Sequence, residues 1–190
     1  MDYQALIDRY YPDDDNLRRL LLRHSRQVAD RSLLICRRHP ELRLDRDFLE
    51  ESAMLHDIGI RWCHAPAIFC TGSEPYIRHG LIGGQLLRRE GFERHARVCE
   101  RHTGTGLTTM PKAPADWQGG ADEPLLPPDL LASGFFVPEV LEEQVVCYAD
   151  KFYSKSHPER ELSVVDAARS LEKFGAAGVE KFLGWAKMFE

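Results

Sequence analysis

No apolar run in this chain approaches the roughly 20 residues that a membrane span needs, so no membrane association is expected. Its first residues, Met1-Asp2-Tyr3-Gln4, lack the basic-then-apolar pattern of a secretion signal. Cysteines are few, odd in number and without a CxxC pair: Cys36, Cys63, Cys70, Cys99 and Cys147. That speaks against a zinc ribbon and for free thiols in a reducing cytoplasm. Basic charge is not in excess either. The formal net charge is -5, so bulk electrostatics give no reason to expect a nucleic-acid partner. The local pairs Arg18-Arg19, Arg37-Arg38 and Arg88-Arg89 read as solvated helix faces. Repeats and low-complexity tracts are absent. What remains is a 190-residue chain of ordinary globular composition, long enough for one core and too short for two, hence a single domain over 1–190.

The apolar pattern has the period of helices almost throughout. A short helix is predicted over 2–10, stopped by Pro12, and a long one from about 13–15 to 38 through Leu17, Leu20, Leu21, His24, Val28, Leu33 and Leu34. His39-Pro40 closes it, because the residue before proline avoids the helical region. The next helix starts near Asp45 and ends at His56-Asp57, with Gly59 as breaker. Residues 61–75 have no clean period and read as a loop. Helices follow over 76–90, 92–102, 138–155, 163–174 and 176–189. Residues 104–137, punctuated by Pro111, Pro114, Gly119, Gly120, Pro124, Pro127 and Pro128, form an irregular insertion or lid, with a turn or two of helix over 125–131. The expected fold class is all-α.

Four histidines and two aspartates fall within or at the ends of these helices: His24, His56, Asp57, His79, His102 and Asp150. His24 shares a stripe with Leu17, Leu20 and Val28, and Asp150 lies one turn after Val146, so both face the interior. A bare buried carboxylate is costly, and a cation removes that cost. Imidazole and carboxylate are also the usual ligands of zinc, manganese and iron. His56-Asp57 supplies one of each where a helix ends and both side chains can be steered to one point. His79 precedes Gly83 by one turn, and Gly83-Gly84 leaves room there for a ligand or another helix.

His24, then Leu55-His56-Asp57-Ile58-Gly59, then Asp150 resembles the H…HD…D signature of the HD superfamily of metal-dependent phosphohydrolases, in its HDIG variant. His79-Gly80 and Arg101-His102-Thr103-Gly104 resemble the extra histidines of its two-metal members. The resemblance covers roughly residues 20–155. It implies an HD-domain-like helical bundle with a metal centre in its core. His24, His56, Asp57 and Asp150 would hold one ion, and His79, His102 and a bridging Asp57 a second. The cofactor would then be one or two divalent ions: manganese, iron, magnesium or zinc. Thr103 after His102 departs from the cyclic-dinucleotide phosphodiesterases of the superfamily.

On this reading the protein is an enzyme that cleaves a phosphoester or phosphoanhydride of a nucleotide or other small phosphorylated metabolite with metal-activated water. Asp57 and Lys151 are the candidate catalytic residues, and Lys151, Arg61, Arg78 and Arg101 the candidate phosphate contacts. A symmetrical dinucleoside tetraphosphate hydrolase, to which Tyr148-Ala149-Asp150 gives some likeness, is one alternative. A mixed-valent di-iron oxygenase and a non-catalytic nucleotide-sensing module are others. His39, His64, His95 and His157 read as surface or core histidines, and Cys99 and Cys147 as small core residues rather than thiolate ligands. The aromatic residues Trp62, Tyr76, Trp117, Phe135 and Phe136 read as loop anchors. The chain does not disclose its oligomeric state.

Overall fold

The computed structural model describes residues 1–105, 107, 113 and 124–190. Nine α-helices are present among them: α1 (Tyr3–Tyr10), α2 (Asn16–Arg38), α3 (Arg46–Leu55), α4 (His79–Arg89), α5 (Glu93–Arg101), α6 (Pro128–Ala132), α7 (Leu141–Asp150), α8 (Val164–Leu171) and α9 (Ala176–Phe189). Their starts follow side-chain capping. Asp2, Asp15 and Asp45 accept from the backbone N–H groups of Ala5, Arg18 and Phe48 at 2.9, 2.7 and 3.1 Å, and Ser163 accepts from Asp166 at 3.1 Å. At α7 the buried Glu143 carboxylate takes the N–H groups of Glu139 and Val140, so it caps the helix as well as charging its first turn.

The all-α expectation is wrong for residues 61–75. They form a mixed three-stranded sheet of β1 (Cys63–Ala65), β2 (Cys70–Thr71) and β3 (Glu74–Pro75), in the order β2-β1-β3. His64 and Ala65 pair antiparallel with Thr71 and Cys70, while Cys63 and His64 pair parallel with Glu74 and Pro75. Strands of two or three residues are too short to show a period of two, which is why the pattern looked like loop. Phe69 turns the chain at a φ of 65°, and Gly72 is obligatory by space: a Cβ there would lie 2.1 Å from the Trp62 carbonyl oxygen.

One apolar cluster runs from Leu6 on α1 to Phe189 on α9, including Leu21, Val28, Leu49, Leu55, Ile58, Val146 and Phe182. Each such side chain contributes about 1.5–3 kcal/mol by leaving water. Helix α2 packs against α3 and α7, and α4 against α5. A second, small cluster of Leu126, Leu131 and Phe136 covers Ile77 and Leu81, laying the 125–136 segment beside α4. The predicted helix over 125–131 is the short α6; the rest of the predicted insertion, with Trp117, falls largely outside the described residues. No helix among the described residues is long and apolar enough to cross a membrane.

Candidate functional site

Five separate elements deliver one side chain or two each to a single point. His24 projects from the middle of α2. His56 caps α3 and Asp57 follows it. His79 opens α4, His102 caps α5, and Asp150 ends α7. The four histidines and Asp57 are at most 4% exposed. Close backbone approach makes this convergence possible. A Cβ on Gly59 would sit 2.1 Å from the His79 carbonyl oxygen and 2.6 Å from the Gly83 nitrogen, so α4 rests directly on the turn after Asp57. On its other side α4 rests on α5, where a Cβ on Gly80 would meet the Cys99 carbonyl oxygen at 2.5 Å. The room left by Gly83-Gly84 is therefore taken by another helix. Tyr11, fully buried, ties the turn down: its hydroxyl donates to the Ile58 carbonyl (2.8 Å) and accepts from the Arg61 N–H (3.1 Å).

Asp57 is the hub. Its Oδ2 lies 3.3 Å from His24 Nε2 and 3.1 Å from His56 Nε2, while its Oδ1 lies 3.3 Å from His79 Nε2 and 3.5 Å from His102 Nε2. Asp150 Oδ1 stands 3.0 Å from His24 Nε2 and 3.5 Å from His56 Nε2. The two carboxylate oxygens of Asp57 thus serve two histidine pairs.

The protons are spent elsewhere. His56, His79 and His102 each place Nδ1 against the carbonyl oxygen three residues earlier, Ala53 at 2.6 Å, Tyr76 at 2.5 Å and Cys99 at 2.6 Å. A carbonyl only accepts, so Nδ1 carries the hydrogen and Nε2 presents a lone pair. Lone pairs then face carboxylate oxygens, and His79 Nε2 faces His102 Nε2 at 3.0 Å. The buried atoms His56 Nε2 and Asp57 Oδ1 have no hydrogen-bond partner. Acceptors packed against acceptors are repulsive unless a cation lies between them. Two donor groups, His24–His56–Asp150 and His56–Asp57–His102, each bring one ligand atom per residue within 4.8 Å of one another, close enough to share a metal ion. The second draws in His56 where the sequence suggested His79.

With no cation between these acceptors, a proton on His56 and the two lysine ammoniums balance the carboxylates instead. Burial works against ionising Asp57, yet Lys155 and His56 outweigh it and hold the carboxyl well below its ordinary value. Asp150 behaves alike, with Lys151 and Lys155 overcoming its burial. Facing the same carboxylate, two imidazoles separate. Burial opposes the charged form of His56, but Asp57 and Asp150 raise its pKa to about 9, whereas burial dominates at His102 and lowers it to about 3.

Lys151 lies beside the cluster: its ammonium donates to Asp150 Oδ2 at 2.8 Å and to the His102 carbonyl at 3.0 Å. Lys155 is closer still to the hub, 2.6 Å from Asp57 Oδ2, and sequence reasoning missed it. Its position five residues after Asp150, past the end of α7, carries no periodic signal. The three arginines are engaged outside the cluster. Arg61 stands 4.0 Å from Asp13 and over the Tyr11 ring. Arg78 donates to the Leu125 and Pro124 carbonyls at 2.8 Å and pairs with Glu74. Arg101 is buried against the Val137 carbonyl (2.8 Å) and Glu139 (2.9 Å). Cys99 and Cys147 donate to the carbonyls of Leu55 and His102, both at 3.2 Å, rather than into the centre. Tyr76 is not a loop anchor alone, since its ring stacks on His79 with centroids 4.6 Å apart.

No family model matches the chain, and no solved structure does. The chain is 27% identical over 150 residues to tRNA (cytidine(56)-2'-O)-methyltransferase of Thermoplasma volcanium, across 78% of this chain and 36% of that protein. It is 28% identical over 164 residues to the protein of the same name from Picrophilus torridus, across 81% of this chain and 40% of that one. An uncharacterized protein of Methanocaldococcus jannaschii is 29% identical over 131 residues, 68% of this chain and 61% of its own. The chain therefore spans less than half the length of either named relative.

These relatives overturn the functional expectations drawn from the sequence. Their name is that of a methyltransferase, not of an HD-superfamily phosphohydrolase, and the HD-domain-like bundle finds no matching family or structure. Hydrolysis of a small phosphorylated metabolite or nucleotide is withdrawn. So are its alternatives, the symmetrical dinucleoside tetraphosphate hydrolase, the di-iron oxygenase and the nucleotide sensor. The divalent-metal cofactor inferred for hydrolysis goes with them. The expectation that nucleic acid is an unlikely partner is withdrawn as well, since the relatives' name specifies tRNA. Net charge does not decide that point, because it averages the whole surface while a contact with RNA depends on local cations. The motif misled because it reports a donor set, and one donor set can serve different chemistries.

Proposed function

We propose that this protein acts on tRNA, in the service of ribose 2′-O-methylation, and that His24, His56, Asp57, His79, His102 and Asp150 form its cation-binding centre. The alignment of proteins named tRNA (cytidine(56)-2'-O)-methyltransferase with 78% and 81% of the chain carries the tRNA reading. Converging lone pairs around Asp57 support the centre. Lys151 pairs with Asp150, the most accessible of the six, and Lys155 with Asp57, and they supply the local positive charge that a phosphate or ribose oxygen of RNA seeks. Residues 1–190 are taken as one domain, with 104–137 as its irregular insertion or lid and the cytoplasm as its compartment.

In 2′-O-methylation the ribose oxygen forms a bond to the methyl carbon as the donor's bond to that carbon breaks, and the hydroxyl proton passes to a base. Because the alignments take in 36% and 40% of the named relatives, binding and transfer are tested separately. Filter binding of unmodified tRNA, followed by incubation with radiolabelled S-adenosylmethionine, is the experiment. Retention of tRNA supports the partner, and label in ribose supports the activity for this chain. The absence of both retention and label would overturn the reading. Metal analysis of the same preparation beside Asp57→Asn tests the centre: the variant should lose the ion the parent holds.

A further inference from the structure

Six metal-type donors and two lysines share this centre. Asp57 and Asp150 bring two negative charges; Lys155 and Lys151 bring two positive ones. The lysines are not equivalent. Lys151 spends a hydrogen bond on the His102 carbonyl, so it is tied to the wall. Lys155 reaches Asp57 Oδ2 at 2.6 Å, the same oxygen that His24 and His56 approach at 3.3 and 3.1 Å. Its ammonium therefore sits where a cation bound by those imidazoles would need to be. Lys155 lies beyond the last turn of α7, followed by Ser156, His157 and Pro158 in irregular chain, and the Tyr76 hydroxyl lies within its reach. A long flexible stem on a loop can withdraw where a helical ligand cannot.

We infer that Lys155 is an internal counter-cation for the centre: its ammonium occupies the seat at Asp57 Oδ2 and is displaced toward Tyr76 and solvent when a metal ion enters. The inference rests on the reading of the six residues as a cation-binding centre. The displaced ammonium adds a positive charge to the mouth, so loading the centre and preparing it for an anionic ligand become one event. Competition of this kind lowers apparent metal affinity by the fraction of molecules in which the seat is taken.

The test uses the whole chain and Mn2+ alone. Binding is read by the free-ion paramagnetic resonance signal, and lysine accessibility by reductive methylation mapped by mass spectrometry, with and without Mn2+. Lys155 should be protected after chelation and labelled on loading. Lys155→Met should bind Mn2+ about tenfold tighter, and after chelation should melt below the parent because Asp57 has lost its counter-charge. Lys155→Arg keeps the charge and should bind like the parent, which guards against a Met variant that fails to fold. Equal labelling of Lys155 in both states, or an unchanged Mn2+ affinity in Lys155→Met, would overturn the inference while leaving the centre standing. No Mn2+ uptake by parent or variant would overturn the centre and this inference together.

Discussion

Removing one neutral oxygen atom beside the centre should loosen it. Tyr11→Phe deletes the hydroxyl that bridges the Ile58 carbonyl and the Arg61 N–H, on either side of Gly59 and Ile60. The phenol is fully buried and burial holds its pKa well above the ordinary value, so it is a neutral hydroxyl at every pH of interest. Ile58 is also fully buried, and no water can replace the lost donor there. An orphaned buried carbonyl costs about 1–3 kcal/mol, and the half-buried Arg61 amide adds to it, for a total of about 2–3 kcal/mol. For a chain of this size that is a fall in melting temperature of roughly 4–12 °C. Because the turn carries Asp57 at its start, metal occupancy should fall with stability. The assay is urea and thermal unfolding of parent and variant, with Tyr3→Phe as the control, since Tyr3 has no side-chain hydrogen bond among the described residues. A loss below about 0.5 kcal/mol would mean that the hydroxyl does not hold the turn, and would refute the account of how Asp57 is positioned.

Gly59→Ala should be worse than Tyr11→Phe. Its Cβ meets backbone rather than side chain on α4, which must retreat and take His79 with it; a stability loss of about 3 kcal/mol or more is expected by denaturant unfolding. The thiols offer a test of packing: burial drives Cys63, Cys70 and Cys147 up to about 12 and Cys99 well above its ordinary value, leaving half-buried Cys36. An aromatic disulfide reagent at pH 8 should therefore titrate one thiol rapidly in the native protein and all five in urea; rapid reaction of several would contradict the core described here. His95, packed on Phe48 and bonded to Glu51 at 2.9 Å, has its pKa lowered, chiefly by burial and against the pull of Glu51. The folded state thus binds this proton less readily than the unfolded one, so its contribution is present above pH 6.5 and is lost as pH falls from there. Between pH 7.5 and 5.5 the urea midpoint of the parent should fall more steeply than that of His95→Gln, and identical slopes would refute the assignment.

Helices were legible because their signals are local. The aspartates at 2, 15 and 45 announce starts, the apolar stripe of α2 announces a face, and α9 was found over 176–189 as observed. The six candidate donors stand out in the chain because each sits at a helix end or on an inward stripe. The sheet of β1–β3 could not, since its strands are shorter than any period and are defined by partners up to 11 residues away. Lys155 was missed for the related reason that a loop lysine has no preferred direction until the fold aims it. Arg101 failed in the opposite sense: adjacency to His102 suggested the site, but neighbours near a helix end point about 100° apart, and its guanidinium turned to Glu139 instead.

The placement of three donors at the ends of helical turns has a physical reason that the motif letters do not express. The last carbonyls of a helix have no partner within the helix. At α3 and α5 the carbonyls of Ala53 and Cys99 are taken by Nδ1–H of the capping histidines, and the Tyr76 carbonyl, which also accepts the His79 backbone N–H, takes Nδ1–H of His79. One hydrogen bond thereby satisfies the helix end, fixes the tautomer and turns Nε2 inward. His24, in mid-helix, has its own carbonyls occupied and shows the difference: its Nδ1 is buried without a partner, and only the two carboxylates orient its ring. Such a centre owes its rigidity to helix termination at three of its corners and to charge at the fourth. Losing a carboxylate should therefore disturb His24 before it disturbs the other three.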